Sequence, residues 1–456
     1  MTETVHHIKT LRQRDMVLFT VSAILLLDTL TAAASVGAPS VFWWIFLGMI
    51  FFVPIALISA EMGCAYPEQG GIYAWIRDAF GGRWASRATW CYWVNTAVWI
   101  PAIFILFAGV FKQMFYPELS LGGQIAIGVA LTWLAVLVNV VTLDVGKWIP
   151  NLGAIFKVLI FLAIIVGAFV HIGHHGMANP LSLETLKPDW GDSLQYIPAI
   201  IYGMLGFELV SAGSQEMKDP ARDVPRAILI SAVIILVLYL LGTIAVLAAI
   251  PAGDINLVEG LIDTLYLFFG GSPAGHFLVV SLGIGALYTF FSNGVTWALG
   301  CNRAAAEAAV EGELPRIFAV ESKQLGTPVG AAVLMGIVST VLLVLYGLMA
   351  GSNEDLFWSL FSFSAVIFLL PYQGMLLAFV KMRLIDPDHL RPYRVPGGPG
   401  AARAIAWTCF SVLALSVVLF MYTPGEGMQW PVLAGVVITL AIGEYVIRFS
   451  ENHKKR

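Results

Sequence analysis

The chain has 456 residues, of which 59% are hydrophobic and only 12% charged, with a mean hydropathy of +0.83. Soluble proteins carry roughly 25% charged residues, so a soluble enzyme and a nucleic-acid-binding domain are excluded and a multi-spanning membrane protein is indicated. The net charge of −4 says little about partners; where the charges fall says more.

The N-terminal stretch MTETVHHIKTLRQRD is too polar and too long for a cleavable signal peptide, and reads as a tail before the first span. Apolar runs of the length that crosses a bilayer, about 20 residues, follow near 15–37, 40–62, 86–115, 121–143, 149–171, 194–216, 226–250, 275–301, 328–350, 355–380, 403–422 and 430–449. Backbone polar groups in lipid must be bonded within the segment, so these runs predict twelve helices. The expected fold is an all-α membrane protein forming one polytopic domain over 1–456.

Basic residues set the orientation. With both termini in the cytoplasm, Arg77, Arg83, Arg87, Lys147, Lys218, Arg222, Arg303, Arg316, Lys323, Lys381, Arg383, Arg391 and Arg394 fall in cytoplasmic loops, and only Lys112 and Lys187 face outward. The outward loops carry acids, among them Glu184, Asp189, Asp192, Asp254, Glu259, Glu354 and Asp355. Cys64, Cys91, Cys301 and Cys409 have no paired spacing, so neither a disulfide framework nor a zinc site is expected. The histidines of HIGHHG at 171–176 read as solvated loop residues, and no metal or cofactor is expected.

Two spans are anomalous. The first reads VSAILLLDTLTAAASVG over 21–37, with Asp28 as its only charge. The sixth carries Gly203, Gly206, Gly213 and the acid Glu208. Glycine costs about 1 kcal/mol in a helix interior, and in membranes it also serves close helix packing. Transporters built on inverted repeats break corresponding helices of their two halves at the midplane. Spans one and six are five apart, as a five-plus-five repeat requires. Breaks are therefore expected near Asp28–Thr31 and Gly203–Gly206.

Three stretches then carry a resemblance: SAEMGCAYPEQGGIYAWIRDAFGGRW (59–84), GFELVSAGSQEMKDPARDVPRAI (206–228) and WALGCNRAAAEAAVEGELPRIFA (297–319). In order and spacing they resemble signature regions of the amino acid–polyamine–organocation transporter superfamily. The resemblance implies a five-plus-five inverted repeat, with 15–171 as the first repeat, 194–380 as the second and 403–449 as two additional helices. It places Tyr202 and Glu208 where the arginine/agmatine exchanger has its sixth-helix aromatic and acid. Trp297 matches that protein's substrate-facing tryptophan, fifteen residues before the glycine of GELP. Lys157, in GAIFKVLIF, matches a fifth-helix lysine of the heteromeric-type amino-acid transporters, a coupling position in proton-coupled members. Glu208 is a second candidate for coupling. The chain departs from the pattern in span one, where Leu27-Asp28-Thr29 replaces the Gly-Ser-Gly-type cradle of most members. Polyamine-uptake members are similar in carrying an early acid there, and glutamate/GABA exchangers also lack the cradle.

Asp28 has three readings: a structural acid, a proton-coupling group, or the counter-ion of a substrate ammonium. A charged Asp at mid-membrane depth costs about 2.5–3.5 kcal/mol even on the lenient insertion scale, and such residues mark substrate or proton paths. A substrate carboxylate about 4 Å away would be repelled by roughly 4 kcal/mol at an effective dielectric of 20, nearly a thousandfold in affinity. Asp28 therefore tilts the expected substrate towards amines, with Thr29 and Gly203 at the breaks and Tyr202 and Trp297 as cation–π partners. Glu208 is placed for a second ammonium. Lys157 is read either as a coupling lysine or as one that snorkels to the cytoplasmic surface.

The expected function is secondary transport of an organic amine, by proton-coupled uptake or exchange, in the plasma or inner membrane. The alternative is an amino-acid transporter or an amino acid/amine exchanger. A membrane-embedded enzyme lacks facing His or acid pairs, and a sensor lacks a long regulatory tail. The expected partners are a small amine or amino acid, protons and the lipid bilayer.

Overall fold

The computed structural model describes residues 13–67, 71–141, 148–188, 194, 196–209, 219–322, 325–425 and 427–454. Glu68–Gly70 of the first signature stretch lie outside these residues, as do Lys147, Asp189, Asp192, Gly213, Lys218 and Lys323.

Span one is two helices, α1 (Gln13–Ile24) and α2 (Leu27–Ser35), bent by 49°. The break falls at Leu25–Leu26, not at Asp28–Thr31 as expected. Asp28 instead sits in the first turn of α2, where an acid is favoured by the helix dipole. Its Oδ1 accepts from the Thr29 N–H at 3.0 Å. The small-residue run that was expected to break is regular helix.

The second span, α3 (Pro39–Ala65), contains a π-helical stretch at Gly48–Phe52. A short amphipathic helix, α4 (Ile72–Phe80), leads into α5 (Gly82–Phe115). The most apolar stretch of α5 is 89% buried within the protein, so other helices wrap it on nearly all sides. Then come α6 (Leu121–Val141), α7 (Trp148–His175) and the six-residue α8 (Ile197–Tyr202). The histidines 171, 174 and 175 end α7 as helix, not loop, and no group that could hold a metal occurs among the described residues.

Beyond α8 the helix is interrupted over 203–208, and Gly206 takes φ +125°, which only glycine adopts readily. This interruption lies where the glycine pair predicts it. The remaining helices are α9 (Pro220–Ala249), α10 (Gly260–Phe269), α11 (Pro273–Val310), α12 (Val329–Met349), α13 (Asn353–Ile385), α14 (Gly398–Met421) and α15 (Trp430–Lys454). The helix starts follow local rules. Ser272 and Ser352 cap α11 and α13 by accepting from Gly275 N–H and Asp355 N–H.

Ten helices among the described residues are long and apolar enough to cross a membrane, and the bent pair α1–α2 makes an eleventh. The chain is a helical, multi-pass membrane protein. Helices α13 and α11 each pack along α5, and the two interrupted spans meet where α2 packs on α8.

Candidate functional site

A break in a membrane helix orphans backbone groups that lipid cannot satisfy. Side chains from two other spans satisfy several of those in span one. The Tyr239 hydroxyl, from α9, accepts from Leu26 N–H and donates to the Ile24 carbonyl, both at 2.7 Å. Lys157, from α7, donates from Nζ to the Ser22 carbonyl at 2.6 Å. Lys157 is 1% exposed, so it does not snorkel. It forms no ion pair with Asp28 within 4.0 Å.

The interrupted spans touch at Thr29 and Gly203. A Cβ on Gly203 would lie 2.5 Å from Thr29 Cγ2, so only glycine permits this approach. Asp28, 1% exposed, accepts at Oδ2 from the Trp99 indole N–H at 3.3 Å. Trp99 is therefore the link between this carboxylate and the space beyond it.

That space is a small cavity, and Ala23 and Leu26 from the break in span one contribute to its wall. Its aromatic wall is Trp99, Tyr202, Trp297 and Phe368. Trp297 meets Trp99, Tyr92 and Phe368 with ring centres 6.2, 6.1 and 5.9 Å apart, and Tyr202 lies 5.4 Å from Phe368. Beside it Glu208, 5% exposed, accepts from the Tyr92 hydroxyl at 2.8 Å. Helices α5, α11 and α13 thus supply a wall that reaches from Asp28 at one side to Glu208 at the other.

Tyr202 and Trp297 line the cavity directly. Asp28 stands behind Trp99, Thr29 and Gly203 form the helix contact, Glu208 adjoins the aromatic wall, and Lys157 lies behind the break. The sequence reading missed Tyr92, Asn95, Trp99, Tyr239 and Phe368. One signal was available: Asn95 is a lone amide in the apolar run YWVNTAVWI, and intramembrane polar residues mark functional paths. The aromatics carried no signal, since tyrosine and tryptophan are ordinary constituents of membrane helices.

Comparison with known proteins matches residues 11–442 of the sequence to the amino acid permease family. The chain belongs to that family. It is a transporter of the amino acid–polyamine–organocation superfamily and not an enzyme. A Lactococcus lactis protein described as "probable agmatine/putrescine antiporter" is 32% identical over 438 residues, covering 95% of this chain and 93% of that one. A rice polyamine transporter is 26% identical over 437 residues, 92% of this chain and 75% of its own. The Lactococcus lactis glutamate/gamma-aminobutyrate antiporter is 24% identical over 437 residues, 91% of this chain and 85% of its own. This permease shares most of its length with all three.

Proposed function

We propose that this permease transports organic amines, such as agmatine or a polyamine, by exchange or proton-coupled uptake. The observation that carries the reading is Asp28: a buried carboxylate at the break in span one, linked through Trp99 to an aromatic cavity. An ammonium entering the cavity replaces the indole N–H on Oδ2 and gains an ion pair. Tyr202 and Trp297 add cation–π attraction. A substrate carboxylate meets repulsion at the same place. Names of the antiporter and polyamine-transporter relatives support the same substrate class.

Lys157 supplies coupling in this reading. A cation bound at Asp28 and a charged Lys157 repel one another, which links amine binding to proton release. Glu208, held by Tyr92, is the second coupling candidate and adjoins the path rather than its first contact. Thr29 and Gly203 form the pivot at which the two broken spans move together. The full architecture is twelve spans, a five-plus-five inverted repeat over 15–171 and 194–380 with 403–449 appended. Both termini lie in the cytoplasm of a plasma or inner membrane, a reading that the basic loops support. In this frame the aromatic wall closes the path between alternating openings.

The test is binding of agmatine and its parent amino acid, arginine, to wild type and Asp28→Asn in detergent. Removing one partner of a desolvated charge pair costs about 2–5 kcal/mol. Agmatine affinity falls more than tenfold in the variant, while arginine is affected less. Tighter binding of arginine than agmatine to wild type would overturn the amine reading in favour of an amino-acid transporter.

A further inference from the structure

We infer that Asn95 is the residue that reads the second nitrogen of the substrate, and that the substrate is a short diamine or an amine with a guanidinium tail. This rests on the amine reading of Asp28. Asn95 is 3% exposed, lines the cavity, and its Oδ1 has no hydrogen-bond partner. A buried amide oxygen left unbonded is unfavourable, and a donor from the substrate would satisfy it.

Its position fixes the chemistry. Asn95 and Trp99 both lie on α5 and both line the cavity, one turn apart. Four residues of helix rise about 6 Å. Trp99 marks the Asp28 end, because its indole is bonded to that carboxylate. Two nitrogens joined by four methylenes span about 6 Å when extended, by ordinary bond lengths. In this inference one ammonium of such a diamine lies at Asp28 and the second donor at Asn95. A neutral carbonyl suits either an ammonium or a guanidinium there, since it accepts from both and repels neither. It gives nothing to a methyl group, so a monoamine of equal length leaves the acceptor orphaned. Glu208 lies further along: its partner Tyr92 is seven residues from Trp99, about 10 Å of helix.

The test measures binding of 1,4-diaminobutane and 1-aminobutane to detergent-purified full-length wild type, Asn95→Leu and Asn95→Asp. A hydrogen bond to a charged group contributes about 1.5–3 kcal/mol, which corresponds to a preference of about tenfold or more for the diamine in wild type. Asn95→Leu keeps the volume and removes the acceptor, so the ratio falls below threefold. Asn95→Asp restores an acceptor with charge, so the ratio returns to the wild-type value or exceeds it. An unchanged ratio in Asn95→Leu, or no diamine preference in wild type, overturns the role of Asn95 and leaves the amine reading standing. Wild type that binds neither amine but binds the parent amino acid, ornithine, overturns the amine reading and this inference together.

Discussion

The hydroxyl of Tyr239 lies 2.7 Å from the amide nitrogen of Leu26, across a break that the sequence of span one places three residues too late. The same hydroxyl donates to the Ile24 carbonyl, so one side chain bridges the two sides of the interruption. The ring stacks on Trp44 at 4.8 Å, and Trp44 is itself tied to Thr243. The break is therefore located by what α9 offers, and Leu25–Leu26 are otherwise good helix formers.

Tyr239→Phe keeps the stacked ring and removes only the hydroxyl. It leaves Leu26 N–H and Ile24 C=O without their partner, and a buried unsatisfied group costs about 1–3 kcal/mol. We expect a loss of stability of at least that size, read by denaturant or thermal unfolding in detergent. Substrate affinity should fall with it, because Asp28 begins two residues after Leu26. A variant with wild-type stability would mean that the break needs no bridging hydroxyl.

Gly203 and Thr29 make the second test. A Cβ at 203 would come within 2.5 Å of Thr29 Cγ2. Gly203→Ala should force the broken spans apart and lower both stability and substrate affinity. Thr29→Ala removes the methyl group that clashes, so the double variant should recover much of the loss. Contacting residues show coupling of about 0.5–3 kcal/mol in such cycles. Simple additivity of the two single changes would show that this contact does not hold the spans.

What the sequence made legible follows from which signals are local. Hydropathy finds spans because lipid imposes length and composition on each helix separately. Gly203 and Gly206 mark the break in span six because glycine destabilises a helix wherever it stands. Asp28 and Lys157 stand out because a charge in an apolar run is costly without a partner. The break in span one was misplaced because its cause, Tyr239, is more than two hundred residues away. Trp99 and Phe368 escaped for a related reason. Nothing in a membrane helix distinguishes a cavity-lining aromatic from a lipid-facing one until the helices are packed.

Glu61 illustrates a motif whose chemistry only the fold explains. It belongs to the SAEMG stretch and is 1% exposed. Arg383 bonds to both its oxygens, Arg391 lies 3.5 Å away, and Val395 N–H donates at 2.7 Å. The carboxylate thereby pins the segment between α13 and α14 to the end of α3. Glu61→Ala leaves two guanidinium groups without their anion, and breaking a buried pair costs about 3–5 kcal/mol. We expect a loss of that order in unfolding experiments. Substituting Glu61, Arg383 and Arg391 together by apolar residues should cost less than Glu61→Ala alone, because no uncompensated charge remains.

Lys157 gives the last prediction, because its buried Nζ holds a backbone carbonyl beside the break. It is bonded to the Ser22 carbonyl behind the break, and in the proposed function it opposes a cation bound at Asp28. Lys157→Met keeps an unbranched side chain of similar reach and removes the titrating group. If the lysine couples amine movement to protons, the variant should still bind amine, since the opposing cation has gone and Asp28 remains. Its transport into proteoliposomes should lose the pH dependence of the wild type and no longer respond to an imposed proton gradient. A purely structural lysine predicts the opposite pattern. Stability and binding would fall together, and whatever transport survived would keep the wild-type pH profile. Measuring equilibrium binding and gradient-driven uptake on the same preparations separates the two, because loss of the Ser22 bond affects both readouts whereas loss of coupling affects only uptake.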